Sequence, residues 1–345
     1  MSLPTQTRQY VLREIGTYKN LELKQAEVHK PKSHEVLVKV HAVSLQYRDL
    51  SMSLGIYKVG HPGVVPCSDM AGEILAVGDE VTKWKKGDRV CANFSTEHLY
   101  GDPTPESVAS SMGAQAPGVL TEYRCFPAHA LVSVPPHLNY EEASTLPCAA
   151  LTAYNGLMGP KPVKAGDTVL VLGTGGVSIF ALQFAVASGA TVIATSSSNA
   201  KLGIAKKLGA SHLINYREKP DWDKEVLKIT NGVGVDHVIE VGGQGTLQRS
   251  INSVRIGGQV SVIGFISKDA NAAEIILPVI MKSIHVRGVY IGSVAQFRDM
   301  NRMIEANPEK TRPIVDKVFT FEEAIKAYEY LESQKHVGKI VIHVA

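Results

Sequence analysis

Cysteine is scarce in this chain: four residues, Cys67, Cys91, Cys125 and Cys148, are spread over 345 positions with no C-x-x-C pair. Such spacing supports neither a structural zinc site nor a secreted disulfide framework, and reduced, mostly buried thiols are expected. Neither sign of charge is in excess, since 36 Lys and Arg stand against 33 Asp and Glu, a net of +3. No Lys/Arg-rich run or basic stretch interleaved with aromatics occurs, and Lys83-Trp84-Lys85-Lys86 is too short to count, so no nucleic-acid partner is expected. No apolar run approaches the roughly 20 residues of a membrane span, and Met1–Gln9 lacks a signal-peptide core. The expectation is therefore no membrane and a cytoplasmic location. Internal repeats and low-complexity tracts are also missing.

What is present is a substantial apolar content, 44%, with 20% charged residues, in a chain long enough for two domains. Its most informative stretch is VLVLGTGGVSIFALQFA, which carries Gly173, Thr174, Gly175, Gly176 and Val177. Thr168 to Leu172 is a short apolar, partly β-branched run, the mark of a strand buried on both faces, and Val177 to Ala187 is apolar at helical spacing. Between them lies a strand-to-helix turn. Gly173 permits the tight turn and Gly175 lets backbone approach a pyrophosphate. The following helix offers its N–H groups and dipole to that phosphate. Ser178 stands where a third motif glycine is usual and is small enough for close helix–strand packing.

Downstream the pattern alternates. Strands are predicted at Thr191–Thr195, His212–Asn215, Val235–Val241, Gln259–Gly264 and Ile284–Tyr290, with helices at Ala200–Leu208, Trp222–Thr230 and Thr246–Val254 between them. Glycines at 209, 232, 234, 257 and 258 fall where helices end or turns begin. Alternation of this kind predicts a six-stranded parallel sheet with right-handed crossovers. An acidic residue that holds a ribose 2′-hydroxyl is expected near the end of the second strand, yet Ala194 to Asn199 reads ATSSSN, followed by Lys201. Hydroxyls and a lysine donate to a 2′-phosphate where a carboxylate repels it, so NADP(H) is favoured, through Ser196, Ser197 and Lys201. As single residues, these are equally an ordinary loop and a solvated lysine.

Before Pro147 the texture differs. Val36–Val43, Ala71–Val77, Asp88–Ala92 and Leu131–Val134 look like short strands joined by glycine and proline turns, and Ser95–Gly118 reads as a surface loop or a lid. After Gly292, helices are predicted at Gln296–Ala306 and Phe321–Ser333, and a last strand at Lys339–Val344. The economical organisation is a β-rich domain over 1–148, a dinucleotide domain over 149–291, and a segment 292–345 that completes the first. Nicotinamide and substrate are expected in the cleft between them.

SLQYRDL at 44–50, PCSDMAGEILAVG at 66–78, WKKGDRV at 84–90, TLPCAALTAY at 145–154, the glycine turn, AKKLGASHLINYRE at 205–218 and the closing HVGKIVI carry a family resemblance. Over essentially its whole length the chain resembles the medium-chain dehydrogenase/reductase superfamily, in its zinc-free quinone oxidoreductase-like and alcohol dehydrogenase-like branch. The resemblance implies an α/β fold: a Rossmann, doubly wound parallel six-stranded sheet plus a GroES-like β-rich catalytic domain, with hydride transfer by a nicotinamide cofactor. Where zinc-dependent members place their first catalytic cysteine this chain has Gln46, and where Gly-His-Glu supplies the second ligand it has Cys67-Ser68-Asp69. Sulfur is kept only at Cys148. One thiolate cannot build a tetrahedral zinc site, and Gln and Ser are poor ligands, so no metal is expected.

Without a Lewis acid, hydrogen-bond donors must meet charge on the substrate oxygen. The resemblance places Gln46, Tyr47 and Ser68 on the segments that line the metal pocket of zinc enzymes, and Tyr57 near substrate. Tyr47 and Tyr57 are equally readable as packing residues. It further implies Thr152 against the nicotinamide, Val241 and Gly242 on the adenosine side, Gly264 with Phe265 near the carboxamide, and Tyr216 near a 2′-phosphate. Gly242 and Gly264 also suit plain turns. The expected reaction is hydride transfer from NADPH to a small-molecule carbonyl substrate, conjugated (quinone or enone) first and a simple ketone or aldehyde second. A catalytically silent NADPH-binding protein is the reading from another class. By analogy a homodimer is expected, through edge pairing of Ser283–Gly292.

Overall fold

The structure is a computed structural model that describes residues 3–57, 60–267 and 273–345. The chain folds as two compact units. One comprises Met1–Leu151, Gly292–Ala306 and Arg312–Ala345, and the other Thr152–Ile291 with Asn307–Thr311. Among the described residues no helix is long and apolar enough to cross a membrane.

The first unit is built on a seven-stranded sheet in the order Val315–Thr320, Lys339–His343, Glu35–Ser44, Asp69–Val77, Arg89–Ala92, Leu131–Ser133, with Tyr123–Pro127 also paired to Glu35–Ser44. Glu35–Ser44 lies at its centre because alternate side chains, Val36, Val38 and Val40, are fully buried. These join Ile74, Phe126, Tyr328 and Ile342 in one core. A separate ribbon pairs Gln6–Leu12 with Leu21–Glu27, and its outer strand is almost wholly exposed and polar, which hid it from hydrophobic patterning.

The stretch Ser95–Gly118, expected as a surface loop or lid, is exposed over Tyr100–Glu106, while its two ends are packed inside this unit. Ser95, His98, Ser111, Met112 and Ala114 are buried, and Ser95 and Ser111 share a 3.1 Å hydroxyl contact. Its glycines and small residues serve close packing: a Cβ on Gly118 would lie 2.2 Å from the Pro66 carbonyl oxygen, and one on Gly113 2.5 Å from that of Cys67. The segment therefore backs the turn that carries Ser68 and Asp69.

The second unit holds the six-stranded parallel sheet that the alternation predicted, in the order His212–Asn215, Thr191–Ser196, Thr168–Leu172, Val235–Glu240, Val254–Val262, His285–Gly288. In order of appearance this is 3-2-1-4-5-6, the doubly wound arrangement whose ligands bind at the carboxyl ends of the strands. The fifth strand begins earlier than expected, at Val254, because Gly257 and Gly258 lie inside it rather than ending it. Gly257 has φ of +67°, the Cβ position of Gly258 is filled by the Val254 side chain at 2.4 Å, and the register against Val235–Glu240 shifts there. A helix at Ile276–Lys282 has no buried residue and escaped the sequence reading for that reason.

Candidate functional site

In the β-rich unit three strand ends meet. Asp69 opens its strand opposite Ser44, and Lys339 opens the strand that pairs on the other side of Ser44 through Val341. Gln46 follows Ser44 and precedes the helix Tyr47–Ser53. The helix start is held by Asp49, whose carboxylate accepts the Gln46 backbone N–H at 2.8 Å and lies 3.4 Å from Arg48 Nη1. Arg48 also donates to the Met112 carbonyl oxygen at 3.0 Å and sits over the Phe94 ring at 4.7 Å.

Asp69 is the hub of this corner and has no solvent exposure. Its Oδ2 accepts Gln46 Nε2 at 2.6 Å and the Cys148 backbone N–H at 2.8 Å, while Oδ1 accepts the Ser68 hydroxyl at 2.6 Å. Cys148 reaches it from a π-helical turn, Leu146–Ala150. The ammonium of Lys339, buried in the same corner, donates to the Leu45 carbonyl oxygen. Burial pushes the Asp69 carboxyl up to about 7 against the pull of Lys339 and the Ser68 hydrogen bond. Burial likewise lowers the Lys339 ammonium and holds the Cys148 thiol well above its ordinary range. Cys67 has φ of +69°, a conformation glycine adopts freely, and its sulfur lies 3.4 Å from the Tyr328 hydroxyl.

The four candidate side chains are not equivalent. Gln46 and Ser68 converge on Asp69, Tyr47 packs half-buried against the core beside them, and Tyr57 lies in the turn after the helix, its backbone N–H on the Ser51 carbonyl oxygen. Asp69 and Lys339 were not singled out from the sequence. A lysine at the head of an apolar strand reads as solvated by default, and only the neighbouring strands show that it is enclosed.

In the other unit the glycine turn has the form a dinucleotide requires. Gly173 has φ of +74°, Thr174 is buried, and Gly175 is exposed with open space where a Cβ would lie on either glycine. Intrahelical bonding begins at Ile179, which donates to Gly175, so the N–H groups of Gly176 and Val177 belong to the open first turn. Ser178, at the missing glycine position, donates to the Leu172 carbonyl oxygen at 2.6 Å and so ties helix to strand. Thr152 is buried with no hydrogen-bond partner for its hydroxyl. These features fit a nicotinamide dinucleotide.

At the end of the second strand Ser196 is buried and accepts the Ser198 N–H at 3.4 Å, and Ser198 accepts that of Lys201 at 3.4 Å. Ser197 and Lys201 are half-buried, and Tyr216 is exposed, with its N–H on Ser196. A carboxylate, Glu218, stands at this corner, bound by the side-chain amides of Asn199 and Asn215 at 2.7 and 2.9 Å.

Val241 and Gly242 follow the fourth strand and are organised by Glu240, a buried carboxylate absent from the sequence reading. It accepts the N–H groups of Gly242 and Gly243 at 2.7 and 2.9 Å, the Thr246 hydroxyl at 2.6 Å, and the Ser250 hydroxyl. Gly264 is required by packing, since a Cβ there would lie 2.0 Å from the Val241 carbonyl oxygen, and the next residue, Phe265, is 46% exposed.

A doubly wound sheet with this turn, and a second, β-rich unit with a buried polar hub, define the class of nicotinamide-dependent oxidoreductases. The family follows from comparison. Residues 32–136 match the alcohol dehydrogenase GroES-like domain, and residues 176–306 match the zinc-binding dehydrogenase family. A zinc-type alcohol dehydrogenase-like protein of Schizosaccharomyces pombe is 49% identical over 96% of this chain and 97% of its own. An acryloyl-coenzyme A reductase of Metallosphaera sedula is 31% identical over 95% and 97%. A solved structure from Sinorhizobium meliloti 1021, provisionally named an alcohol dehydrogenase, superposes with a TM-score of 0.91 at 36% identity, covering 99% of this chain and all of that one. The chain belongs to the medium-chain dehydrogenase/reductase superfamily and is an oxidoreductase of that kind.

Proposed function

We propose that this protein is an NADPH-dependent, zinc-independent reductase of carbonyl compounds, with conjugated carbonyls, quinones or enones, as preferred acceptors. The observation that carries the zinc-free reading is the engagement of Gln46 and Ser68. Both side chains donate to Asp69, so the positions that ligate zinc in relatives here form a hydrogen-bonded network around a carboxylate. Gln, Ser and a single thiol held protonated by burial are a poor donor set for catalytic zinc.

A bound nicotinamide supplies the hydride. The turn at Gly173, Thr174, Gly175, Gly176 and Val177 receives its pyrophosphate, Thr152 offers a hydroxyl to the nicotinamide, and Val241, Gly242, Gly264 and Phe265 shape the remaining surface. Ser196, Ser197, Lys201 and Tyr216 would hold a 2′-phosphate, with the Glu218 carboxylate drawn toward the Asn199 and Asn215 amides at the same corner. On the substrate side the second amide N–H of Gln46 is the fixed donor, Ser68 helps to hold the Asp69 carboxylate that orients it, and Tyr47 or Tyr57 is the proton source. A tyrosine hydroxyl can both donate a hydrogen bond and deliver a proton. In an enone or quinone the incoming negative charge is delocalised, so a few donors suffice. A simple ketone leaves a localised alkoxide and asks more of them.

The name of the Metallosphaera sedula relative describes reduction of a conjugated thioester, which supports this order of preference. The alcohol dehydrogenase name of the Schizosaccharomyces pombe relative supports reduction of an unconjugated carbonyl as the second reading. NADPH oxidation by EDTA-treated protein, with a quinone, an enone and an aryl ketone in parallel, tests both. Reduction of the ketone alone overturns the preference, and loss of turnover on chelation overturns zinc independence. We also infer a homodimer formed along the edge strand His285–Gly288, beside which Ile276, Leu277, Ile280 and Met281 are each at least 66% exposed. A monomeric mass in light scattering overturns that inference.

A further inference from the structure

A second cluster of metal-capable side chains lies at the other end of the central strand of the β-rich unit. Glu35 opens the strand that Ser44 closes, so the cluster is about 30 Å from Gln46 along ten residues of strand. Antiparallel pairing sets Glu35 opposite Pro127 and Leu37 opposite Cys125. Directly opposed residues share a face, which makes Glu35 and Cys125 diagonal neighbours within reach of each other's side chains. The loop before the strand brings in His29. That loop is pinned by the Lys32 N–H on the Glu35 carboxylate at 3.0 Å and by the Ala128 N–H on the His34 carbonyl oxygen at 3.0 Å.

The resulting trio is compact. His29 Nε2 lies 3.7 Å from Glu35 Oε2, the Cys125 thiol donates to the His29 carbonyl oxygen at 3.4 Å, and the three ligand atoms fall within 4.8 Å of one another. A tetrahedral ion with bonds of about 2.0–2.3 Å spaces its ligand atoms about 3.3–3.8 Å apart, so small rotations bring all three onto one ion. One nitrogen, one oxygen and one sulfur are the three ligand types that zinc-class ions accept, and the side chain of His29, 67% exposed, leaves the fourth position to water.

We propose that His29, Glu35 and Cys125 form a surface site for a divalent ion of the zinc class, separate from the Asp69 network and not part of the reaction. Binding releases the Cys125 thiol proton to solvent and forms one sulfur–metal bond. Zinc found in the purified protein would then report this trio and not the chemistry.

Cobalt(II) titration of the EDTA-treated full-length protein tests the site through the thiolate-to-cobalt charge-transfer band, with zinc as competitor. The expected result is a single saturable transition that zinc reverses, lost in Cys125→Ser and weakened about tenfold in His29→Ala. Turnover in both variants should stay unchanged. No band at micromolar cobalt overturns the site, and so does a band that persists in Cys125→Ser. A band lost instead in Cys148→Ser places the ion in the Asp69 corner and overturns the site too. Zinc independence is judged separately, by turnover of the chelated wild-type protein.

Discussion

The side-chain amide of Gln46 donates to the carboxylate of Asp69 at 2.6 Å, and the same oxygen accepts the Cys148 N–H at 2.8 Å. One buried carboxylate thus sets the orientation of three segments that are distant in the chain, and the enclosed Lys339 balances its charge.

Asp69→Asn is expected to lower kcat about 10- to 100-fold, because the amide cannot accept all three donors and Gln46 loses its fixed direction. KM for the dinucleotide should stay within about twofold, and urea denaturation should show a loss of about 1–3 kcal/mol as a buried donor is left without its acceptor. The double variant with Lys339→Met should be less destabilised than the sum of the singles, and strict additivity would refute the coupling.

Asp69 also makes the protein sensitive to pH. Its carboxyl is raised from 3.8 to about 7, so between these values the folded state binds a proton that the unfolded chain releases. Its contribution to stability is therefore fully present below about pH 4 and is lost as pH rises through about 7. Turnover should run the other way, rising through about pH 7 as the carboxylate ionises and takes its three donors. Denaturation and kcat profiles of wild type and Asp69→Asn check both slopes, which should vanish in the variant.

The two turn glycines should separate binding from folding. Gly175 has ordinary φ and open space at its Cβ position, so Gly175→Ala should cost within about 1 kcal/mol of stability yet weaken dinucleotide affinity at least about tenfold. Gly173, at φ of +74°, should lose about 1–2 kcal/mol on replacement by Ala as well as affinity. Equal stability losses would show that the turn is not ordered as described.

Cofactor choice should depend on Lys201. Lys201→Ala is expected to raise KM for NADPH about tenfold, the worth of one charge-assisted hydrogen bond, and leave that for NADH nearly unchanged. An equal effect on both would assign NADPH preference elsewhere.

Glu240→Ala should unfold the turn at Gly242 and Gly243. Removing the acceptor of four buried or half-buried donors costs about 2–4 kcal/mol and should lower Tm by several degrees, with dinucleotide affinity falling in parallel.

Much of this protein was legible without coordinates. Thr168–Leu172 and the helix after Gly175 are local in origin. A strand buried on both faces must be a continuous apolar run, and a helix against it must repeat at its own period, so their sheet could be anticipated. The exposed strand Leu21–Glu27 and the helix Ile276–Lys282 carry no such pattern, because neither presents a face to a core. The packing of the C-terminal end of Ser95–Gly118 was equally hidden, since its close contacts are with Pro66 and Cys67, far back in the chain.

The sequence by itself determined the dinucleotide fold, the amide and hydroxyl side chains at Gln46 and Ser68, and the hydroxyl-rich strand end at Ser196. These are properties of residue type and spacing. Only the tertiary structure decided that Asp69, Lys339 and Glu240 are buried hubs. The environment of a charged side chain is set by strands paired across the chain, and no local pattern records whether a carboxylate meets water or three donors.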